Sequence, residues 1–422
     1  MTFNIKQVYF RQTFCGSHCL ENIFCKGVVS ILYVGIDVAK DKHDCFSMNS
    51  DGEILIEKLT ITNNLDGFET LYNSLMQFST SLNNIKVGLE ATGHYSNNIL
   101  NFLTEKGFNI YLINPLQTNL YVKGQSLRKT KTDKLDAHII ATMLISDNLK
   151  PYIPVSYHIS ELKSLTRHRF RLVKENSKFK ISLVRLVNIV FPEFPKIVSS
   201  VAQKSSLALL YELPSAKEIA ECNLKHLTHL LYDNSNKKFD RDKAIEIREL
   251  AKKSIGLNSN SVSFELKQTI SIIQFLQNQI DELDKRIKEI LLEMDTPILS
   301  IPGISFKLAG TIIAEIGDIS RFDSPAKLLA FAGLDPSIYQ SGKFFSTHSV
   351  MVKRGSKYLR FALINAARMV CMNDATFNNF KDKKLSEGKH YRVTLGHVAK
   401  KLVRVIYYLL KTNTKYQADK VA

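Results

Sequence analysis

Acidic residues inside or beside apolar segments are the feature that most constrains the fold of this chain. The four that matter are Asp37, Glu90, Asp133 and Asp136. The first lies within Leu32-Tyr-Val-Gly-Ile-Asp-Val, and the second ends Lys86-Val-Gly-Leu-Glu. The last two stand three residues apart, so on a helix they share one face. A carboxylate in apolar surroundings is costly unless it is paired or bound to a metal ion.

The segment 31–150 alternates strand and helix patterns. Strands are predicted at 32–38, 44–48, 53–61, 86–90 and 108–113, and helices at 65–82 (capped by Asn64), 96–106, 116–123 and 133–146. The order β-β-β-α-β-α-β-α is that of an α/β ribonuclease H-like (RuvC-like) domain. In that topology the first strand, the fourth strand and the last helix converge at one edge of the sheet. The four acids fall on those three elements.

The remainder of the chain has mainly helical patterns. A helical linker is predicted for residues 155–295. Within it, residues 264–294 have apolar residues at a three-and-four spacing, which is typical of a coiled coil or a long bundle helix. Such a helix can mediate dimerisation or pack within its own chain. The Pro-Gly turn at 299–304 resembles a helix-hairpin-helix segment that contacts phosphate, although a turn between packed helices needs no ligand. The predicted domains are 1–30 (a poorly patterned N-terminal extension), 31–150, 155–295 and 296–415.

Composition points to a polyanionic partner. The formal net charge is +17, and residues 341–422 contain 17 lysines and arginines against 4 aspartates and glutamates. A nucleic acid is therefore the expected partner. No run of apolar residues is long enough for a membrane span, and the six cysteines show no paired Cys-x-x-Cys spacing, so we expect free thiols and a cytoplasmic protein.

Clustered carboxylates favour a hard divalent cation. Mg²⁺ is the expected cofactor, with Mn²⁺ as the second candidate, and two ions would stabilise the attacking and leaving oxygens of a phosphodiester. Basic residues beside the acids can neutralise flanking phosphates, or they are solvated loop charges. The predicted nucleic-acid contacts are Lys123, Arg128, Lys129, Lys131, Lys343, Lys353 and Arg354.

The motifs together resemble the DEDD transposases of the IS-one-ten insertion-sequence family, to which the Piv-type DNA invertases are related. In the first half the resemblance rests on Gly35-Ile-Asp-Val-Ala-Lys, Glu90-Ala-Thr-Gly-His-Tyr and Lys131-Thr-Asp-Lys-Leu-Asp-Ala. In the second half it rests on Phe331-Ala-Gly-Leu-Asp-Pro, Gln340-Ser-Gly-Lys and Lys353-Arg-Gly-Ser-Lys-Tyr-Leu-Arg. It covers about residues 31–410.

The resemblance implies a transposase that excises and inserts its mobile element by DNA strand cleavage and exchange. It implies that Asp37, Glu90, Asp133 and Asp136 are catalytic metal ligands and that Ser341, in the C-terminal domain, is a covalent nucleophile. It also implies a prokaryotic, nucleoid-associated protein that acts on double-stranded DNA as a homodimer or homotetramer. A structured, non-coding bridge RNA would guide the choice of DNA.

Other functions fit the sequence less completely. A Holliday-junction-type resolvase or a site-specific DNA invertase would use the same four carboxylates, but a resolvase would not need the roughly 250 residues that follow. A sugar-kinase-like ATPase shares the topology, but it would leave the Asp133 and Asp136 pair unexplained. A nucleic-acid binder that has lost catalysis would not be expected to keep all four acids and Ser341.

Overall fold

A computed structural model describes residues 30–91, 93–125, 133–146, 149–154, 156–337, 340–341, 344–345 and 350–420. The predicted N-terminal extension lies almost wholly outside this range, as do three of the six cysteines. The chain divides into two compact units, with the boundary after Pro154. The predicted division of the second unit into a linker and a C-terminal domain remains a prediction.

The first unit contains a mixed five-stranded sheet. Its strands are β1 (Leu32–Val38), β2 (Lys42–Asn49), β3 (Ile54–Thr62), β4 (Ile85–Glu90) and β5 (Asn109–Ile113). They are ordered β3-β2-β1-β4-β5, with the first three antiparallel and β4 and β5 parallel to β1. The helices are α1 (Leu65–Met76), α2 (Ser96–Lys106), α3 (Pro115–Gln125) and α4 (Asp133–Ile145). The predicted alternation of strands and helices is therefore present.

The two faces of the sheet are covered by different helices. Residues at even positions of β1, such as Val34 and Ile36, pack in a core with Leu71 of α1 and Leu103 of α2. Odd positions, such as Tyr33, pack with α4 on the opposite face. This alternation follows from the two-residue repeat of a strand. Asp37 is also at an odd position of β1, so it lies on the face that α4 covers.

Two strand glycines allow α4 to lie directly on the sheet backbone. A Cβ at Gly35 of β1 would come within 2.0 Å of the Ala137 carbonyl oxygen and 2.6 Å of the Ala141 nitrogen. A Cβ at Gly88 of β4 would come within 2.7 Å of the Ile140 side chain. The helix is therefore in close contact with β1 and β4, and its start lies beside the carboxyl end of β1.

The first helix is shorter than predicted. The Asn64 side chain caps it by accepting from the Gly67 N–H at 2.9 Å, as predicted, but α1 ends at Met76 and not at residue 82. Beyond it, Ser79 donates to the Ser81 carbonyl at 3.0 Å. Serine side chains that bond to nearby backbone groups favour turns over helices, which explains the early end.

The second unit is built from helices and one short hairpin. The helices are α5 (Tyr157–Val190), α6 (Lys204–Glu212), α7 (Ala216–Glu221), α8 (Leu224–Asn234), α9 (Arg241–Lys252), α10 (Asn260–Met294), α11 (Phe306–Ile316), α12 (Pro325–Ala332), α13 (Lys357–Asn373), α14 (Ala375–Ser386) and α15 (Tyr391–Thr412). The hairpin strands are β6 (Gln340–Ser341) and β7 (Phe344–Phe345).

Two hydrophobic cores lie along the long helices α5 and α10. The first joins α6 to α9 with the second half of α5, including Leu186, and the first half of α10, including Ile270. The second joins α11 to α15 with Leu162 of α5 and Ile287 of α10. The apolar repeat of α10 therefore packs within its own chain, which was one of the two predicted roles. Dimerisation through this helix stays a prediction.

The Pro-Gly turn before α11 packs on a neighbouring helix. Gly303 has a φ of +86°, and a Cβ there would lie 2.6 Å from the Met369 carbonyl oxygen of α13. Helix packing and a left-handed backbone therefore account for this glycine. A phosphate contact at this turn stays a prediction.

A buried carboxylate ties together three helices that are distant in sequence. Glu315 of α11 is 2% exposed and accepts from Arg167 of α5 through Nε at 2.6 Å and Nη2 at 3.0 Å. Its other contact is the Ser356 hydroxyl, which donates at 2.7 Å while accepting from the Leu359 N–H at the start of α13. Burial alone would raise the pKa of Glu315, but these hydrogen bonds and the charges of Arg167 and Lys163 hold it below its ordinary value.

The pKa values of two cations near Glu315 are also shifted. The hydrogen bond to Glu315 raises the pKa of Arg167, whose guanidinium also lies 4.8 Å from the Tyr358 ring centre. Burial and the charges of Arg167 and Arg321 lower the pKa of Lys163. We refer to Arg167, Glu315 and Ser356 as the Glu315 cluster.

Among the described residues, no helix is long and apolar enough to cross a membrane. Cys45, Cys222 and Cys371 are free thiols, as predicted for these three. Burial raises the pKa of the Cys45 thiol well above its ordinary value, so it behaves as a small apolar core residue.

We expect Gly35→Ala to destabilise the first unit by about 3 kcal/mol or more, because the new methyl group meets helix backbone that cannot rotate away. The measurement is the free energy of unfolding in urea. Gly124→Ala is the matched control, because Gly124 of α3 has open space around it and alanine favours a helix. Equal stability of Gly35→Ala and the wild type would contradict the close contact.

We expect Glu315→Gln to lower the stability of the second unit by about 2 kcal/mol, discounted because the Arg167 side chain is 38% exposed. An amide cannot accept from both guanidinium nitrogens without presenting its own N–H to one of them. Glu293→Gln, on an exposed position of α10, is the control.

The pH dependence follows from the direction of the Glu315 pKa. A depressed carboxyl pKa stabilises the fold above the unfolded-state value of about 4.3, and this contribution is lost as pH falls through the folded-state value. The difference in unfolding free energy between wild type and Glu315→Gln should therefore shrink on acidification. A difference that grows toward low pH would refute the charged pairing.

Candidate active site

Asp37 and Glu90 come together at the carboxyl ends of neighbouring parallel strands. Ile36 of β1 is in register with Leu89 of β4, so the next residues along the two strands are Asp37 and Glu90. Glu90 follows Gly88 by two positions and shares its α4 face. Both carboxylate residues are half-buried. Their shared position follows from two parallel strands ending at one edge of the sheet.

The first turn of α4 lies at the same edge. Ala137 lies against Gly35, so Asp136 is one residue from a backbone contact with the strand that carries Asp37. The helix begins at Asp133. Asp136 is half-buried, and the side chain of Asp133 lies outside what the structure describes. The four predicted acids therefore occupy β1, β4 and the start of α4, as the sequence predicts.

A fifth acid lies at this edge that the sequence analysis did not identify. Asp44 of β2 is directly opposite Asp37 in the antiparallel register, and it is 5% exposed. Asp44 lies two residues before Phe46, which packs with α4, so the two side chains are on the same face of the sheet. Asp44 therefore faces the same side as Asp37. Its carboxylate accepts a hydrogen bond from the Thr60 hydroxyl of β3. This bond fixes the orientation of Asp44 beside Asp37.

Opposed carboxylates make a cation favourable at this edge. Side chains directly across an antiparallel pair lie about 5 Å apart, and like charges there destabilise the sheet. Carboxylate oxygens are the ligands that Mg²⁺ and Mn²⁺ prefer, so Asp37, Glu90 and Asp136 suit such an ion chemically. Among the side chains that the structure describes, no three acids, histidines or cysteines are already close enough to form a metal cluster.

The backbone segment that leads to Ser341 is held by a ladder of hydrogen bonds. The Ser337 N–H donates to the Val350 carbonyl at 2.7 Å, and the Val350 N–H donates to the Ser337 hydroxyl at 3.1 Å. One step further, the Val352 N–H donates to the Asp335 carbonyl at 3.0 Å. Ser341 belongs to β6, which pairs with β7, and its side chain lies outside the described set.

The base of this hairpin is connected to the Glu315 cluster. The Ser356 N–H donates to the Phe331 carbonyl at 2.9 Å, while the Ser356 hydroxyl binds Glu315. A Cβ at Gly355, whose φ is +112°, would lie 2.1 Å from the same Phe331 carbonyl oxygen. The turn before α13 is therefore tightly packed against the end of α12.

Two of the predicted nucleic-acid contacts project from this turn. Lys353 and Arg354 are both exposed, and the Lys353 backbone has a φ of +56°. Arg360 donates to the Lys353 carbonyl at 3.1 Å and so holds the turn in place. Lys123 is exposed in the last turn of α3. The other four predicted contacts, Arg128, Lys129, Lys131 and Lys343, lie outside the described residues.

Comparisons with known proteins agree with this arrangement. A family model of DEDD type, described as a transposase, matches residues 34–192. A second, described as the transposase IS116/IS110/IS902 family, matches residues 295–383. The DEDD match suggests a ribonuclease H-like fold for the first unit and the use of a divalent metal, and the mixed five-stranded sheet agrees with that fold.

Relatives match almost the whole chain. The chain is 23% identical over 390 residues to the insertion element IS116 uncharacterized 44.8 kDa protein of Streptomyces clavuligerus, covering 90% of this chain and 94% of that protein. It is 24% identical over 396 residues to the pilin gene-inverting protein of Moraxella bovis, covering 92% and 98%. It is 22% identical over 401 residues to the transposase for insertion sequence element IS1111A of Coxiella burnetii, covering 93% of each.

Both halves of the chain thus match the same group of enzymes, in the same order. The chain belongs to the IS110/IS116 family of insertion-sequence transposases, enzymes that cleave and transfer DNA strands.

Proposed function

We propose that this transposase excises and inserts a mobile element by using Asp37, Glu90, Asp133 and Asp136 for metal-assisted chemistry and Ser341 as a covalent nucleophile. The observation that carries the proposal is the register of β1 and β4, which puts Asp37 and Glu90 side by side under the start of α4. Such an edge can hold a cation against a phosphodiester.

The proposed reaction conserves phosphodiester bonds. The Ser341 oxygen forms a bond to phosphorus while one deoxyribose oxygen leaves, so the serine proton passes to a base and the departing DNA oxygen gains a proton. A hydroxyl of a second DNA end then attacks the same phosphorus and releases the serine. Each step exchanges one oxygen–phosphorus bond for another, so no energy-rich cofactor is consumed.

The acids have distinct proposed tasks. When bound, Mg²⁺ or Mn²⁺ would supply positive charge to the phosphate oxygens that gain negative charge in the transition state. Asp37, Glu90, Asp133 and Asp136 would hold it there. Asp44 would act as a positioning residue, because its hydrogen bond from Thr60 fixes a second negative charge directly across from Asp37.

Further parts of the proposal rest on the family resemblance. A structured bridge RNA and a homodimer or homotetramer stay predictions, and the formal net charge of +17 supports the RNA as a second polyanionic partner. DNA inversion is the second candidate outcome, because one relative that aligns over 92% of this chain is a pilin gene-inverting protein. Inversion and excision differ in how the DNA ends are arranged, and the same side chains could carry out both.

We expect Asp37→Asn to abolish excision in a plasmid assay while DNA binding persists, because the amide removes one negative metal ligand and leaves the shape unchanged. Asp51→Asn, in the turn between β2 and β3, is the matched control and should retain full excision. Wild-type excision by Asp37→Asn would exclude this metal site.

In the same assay we expect Asp44→Asn to lower the rate of excision about tenfold. It should also weaken the binding of Mn²⁺, measured by electron paramagnetic resonance, as expected for a residue that orients a ligand.

We expect Ser341→Ala to eliminate a covalent protein–DNA adduct, because no other oxygen would occupy the nucleophile's position. The measurement is retarded migration of labelled DNA on a denaturing gel after the reaction is stopped. Ser271→Ala is the control, because Ser271 is an exposed serine of α10 outside this segment, and the adduct should survive its loss. An adduct of undiminished yield with Ser341→Ala would rule out this serine.

A further inference from the structure

The second unit contains a groove whose described lining residues include none from the hairpin that carries Ser341. It has a volume of about 980 Å³ and is bounded by α14, α15 and the segment 414–417 that follows α15. Its lining combines basic, aromatic and apolar side chains. We refer to it as the α15 groove.

The charge of the α15 groove is strongly positive. Helix α15 has five lysines and arginines in 22 residues and no aspartate or glutamate. Lys400, Lys401, Arg404 and Lys415 line the groove, and none of the described lining residues is acidic. Burial and the nearby charges of Lys400, Lys384 and Lys389 lower the pKa of His397, which agrees with a concentrated positive potential.

Nearby acids have other partners. Asp374 accepts from the Tyr416 hydroxyl at 2.9 Å, and Glu387 accepts from Lys384 at 2.8 Å. Neither lines the groove, so the four lysines and arginines of the lining face it without a neighbouring acid in that lining. An anionic ligand would therefore meet attraction from several sides.

Aromatic side chains give the groove a second property. Tyr408 lines it with 53% of its surface exposed, in contrast to Tyr407, whose hydroxyl donates to the Phe322 carbonyl at 3.1 Å. Phe380 lies under two cations, with Lys401 Nζ 5.1 Å and Lys384 Nζ 5.7 Å from its ring centre. Leu409 adds an apolar wall. An exposed ring beside several cations, as Tyr408 provides here, is the combination that proteins use to bind unpaired nucleotides.

We propose that the α15 groove binds a single-stranded segment of DNA, with its phosphates on Lys400, Lys401 and Arg404 and a base stacked on Tyr408. A duplex keeps its bases stacked inside and would use the cations alone, which would leave the exposed ring and apolar wall without a role. The choice of DNA rests on the proposed function, because strand cleavage and transfer expose unpaired DNA. An acidic protein segment would match the charge but not the rings.

The test measures binding by fluorescence anisotropy, with the full-length protein and no divalent ion. The probes are an oligothymidylate of about 16 nucleotides, a duplex of equal length, and the corresponding RNA. We expect Tyr408→Ala to weaken single-stranded DNA binding about tenfold, because a base can no longer stack on the aromatic side chain. Duplex binding should change by less than about threefold. Tyr211→Ala, an equally exposed tyrosine of α6, is the control.

Charge is tested separately. The double variant Lys400→Gln with Arg404→Gln should reduce the slope of log affinity against log salt by about 1.4 for single-stranded DNA, or about 0.7 for each lost phosphate contact. Lys204→Gln with Lys225→Gln, at exposed positions of α6 and α8, is the matched control and should leave the slope unchanged.

Four results would overturn the proposal. These are an equal loss for duplex and single strand with Tyr408→Ala, an unchanged salt slope in the double variant, tighter binding of the RNA probe through Tyr408, and displacement of the DNA by polyglutamate at equal charge. Binding without divalent ions can be repeated in Asp37→Asn, so a failure of the proposed catalytic residues would not affect this measurement. The groove and the active site are thus judged independently.

Discussion

The close contact between α4 and the backbone of β1 is the constraint on which the first unit depends. With no side chain at Gly35, the Ala137 carbonyl can approach the strand so closely that even a methyl group would collide with it. This contact therefore fixes both the distance of α4 from the sheet and the position of α4 along its own axis. Asp136 precedes Ala137 and Asp37 follows Gly35 by two residues, so the same contact sets how far apart these acids are. The absence of a side chain at Gly35 therefore determines the spacing of Asp37 and Asp136.

The second unit fixes the base of the hairpin that carries Ser341 by a buried charge in addition to close packing. Glu315 joins α5 and α11 to the start of α13, at positions separated by more than a hundred residues in one case and by 41 in the other. A buried carboxylate with directional partners can orient a turn, and here it acts together with the close contact of Gly355 at the base of the hairpin that carries Ser341. The second unit thus adds a buried charge to the kind of glycine contact that positions α4 in the first unit.

Sequence patterns predicted the features that depend on local chemistry. Strand β1 and helix α2 have the predicted bounds, because a short apolar run and a helical apolar repeat are visible in neighbouring residues. Asp44 was missed because its importance appears only when β1 and β2 are paired. The three residues between those strands place 44 opposite 37, and counting that register was the available signal. The α15 groove was missed because its walls come from two helices and a following segment that meet only in the folded unit.

Formal charge is distributed unevenly between the two units. Residues 31–154 contain 11 lysines and arginines against 13 aspartates and glutamates, so the part that gathers the acids has no net attraction for DNA. Those acids would repel a phosphodiester until a cation lies between them. The larger positive charge lies in the second unit, where residues 341–422 carry a formal charge of +13. Under the proposed function, a cation-dependent site with no net positive charge would be complemented by a basic region that binds phosphate without a metal, so DNA would be held before it is cut.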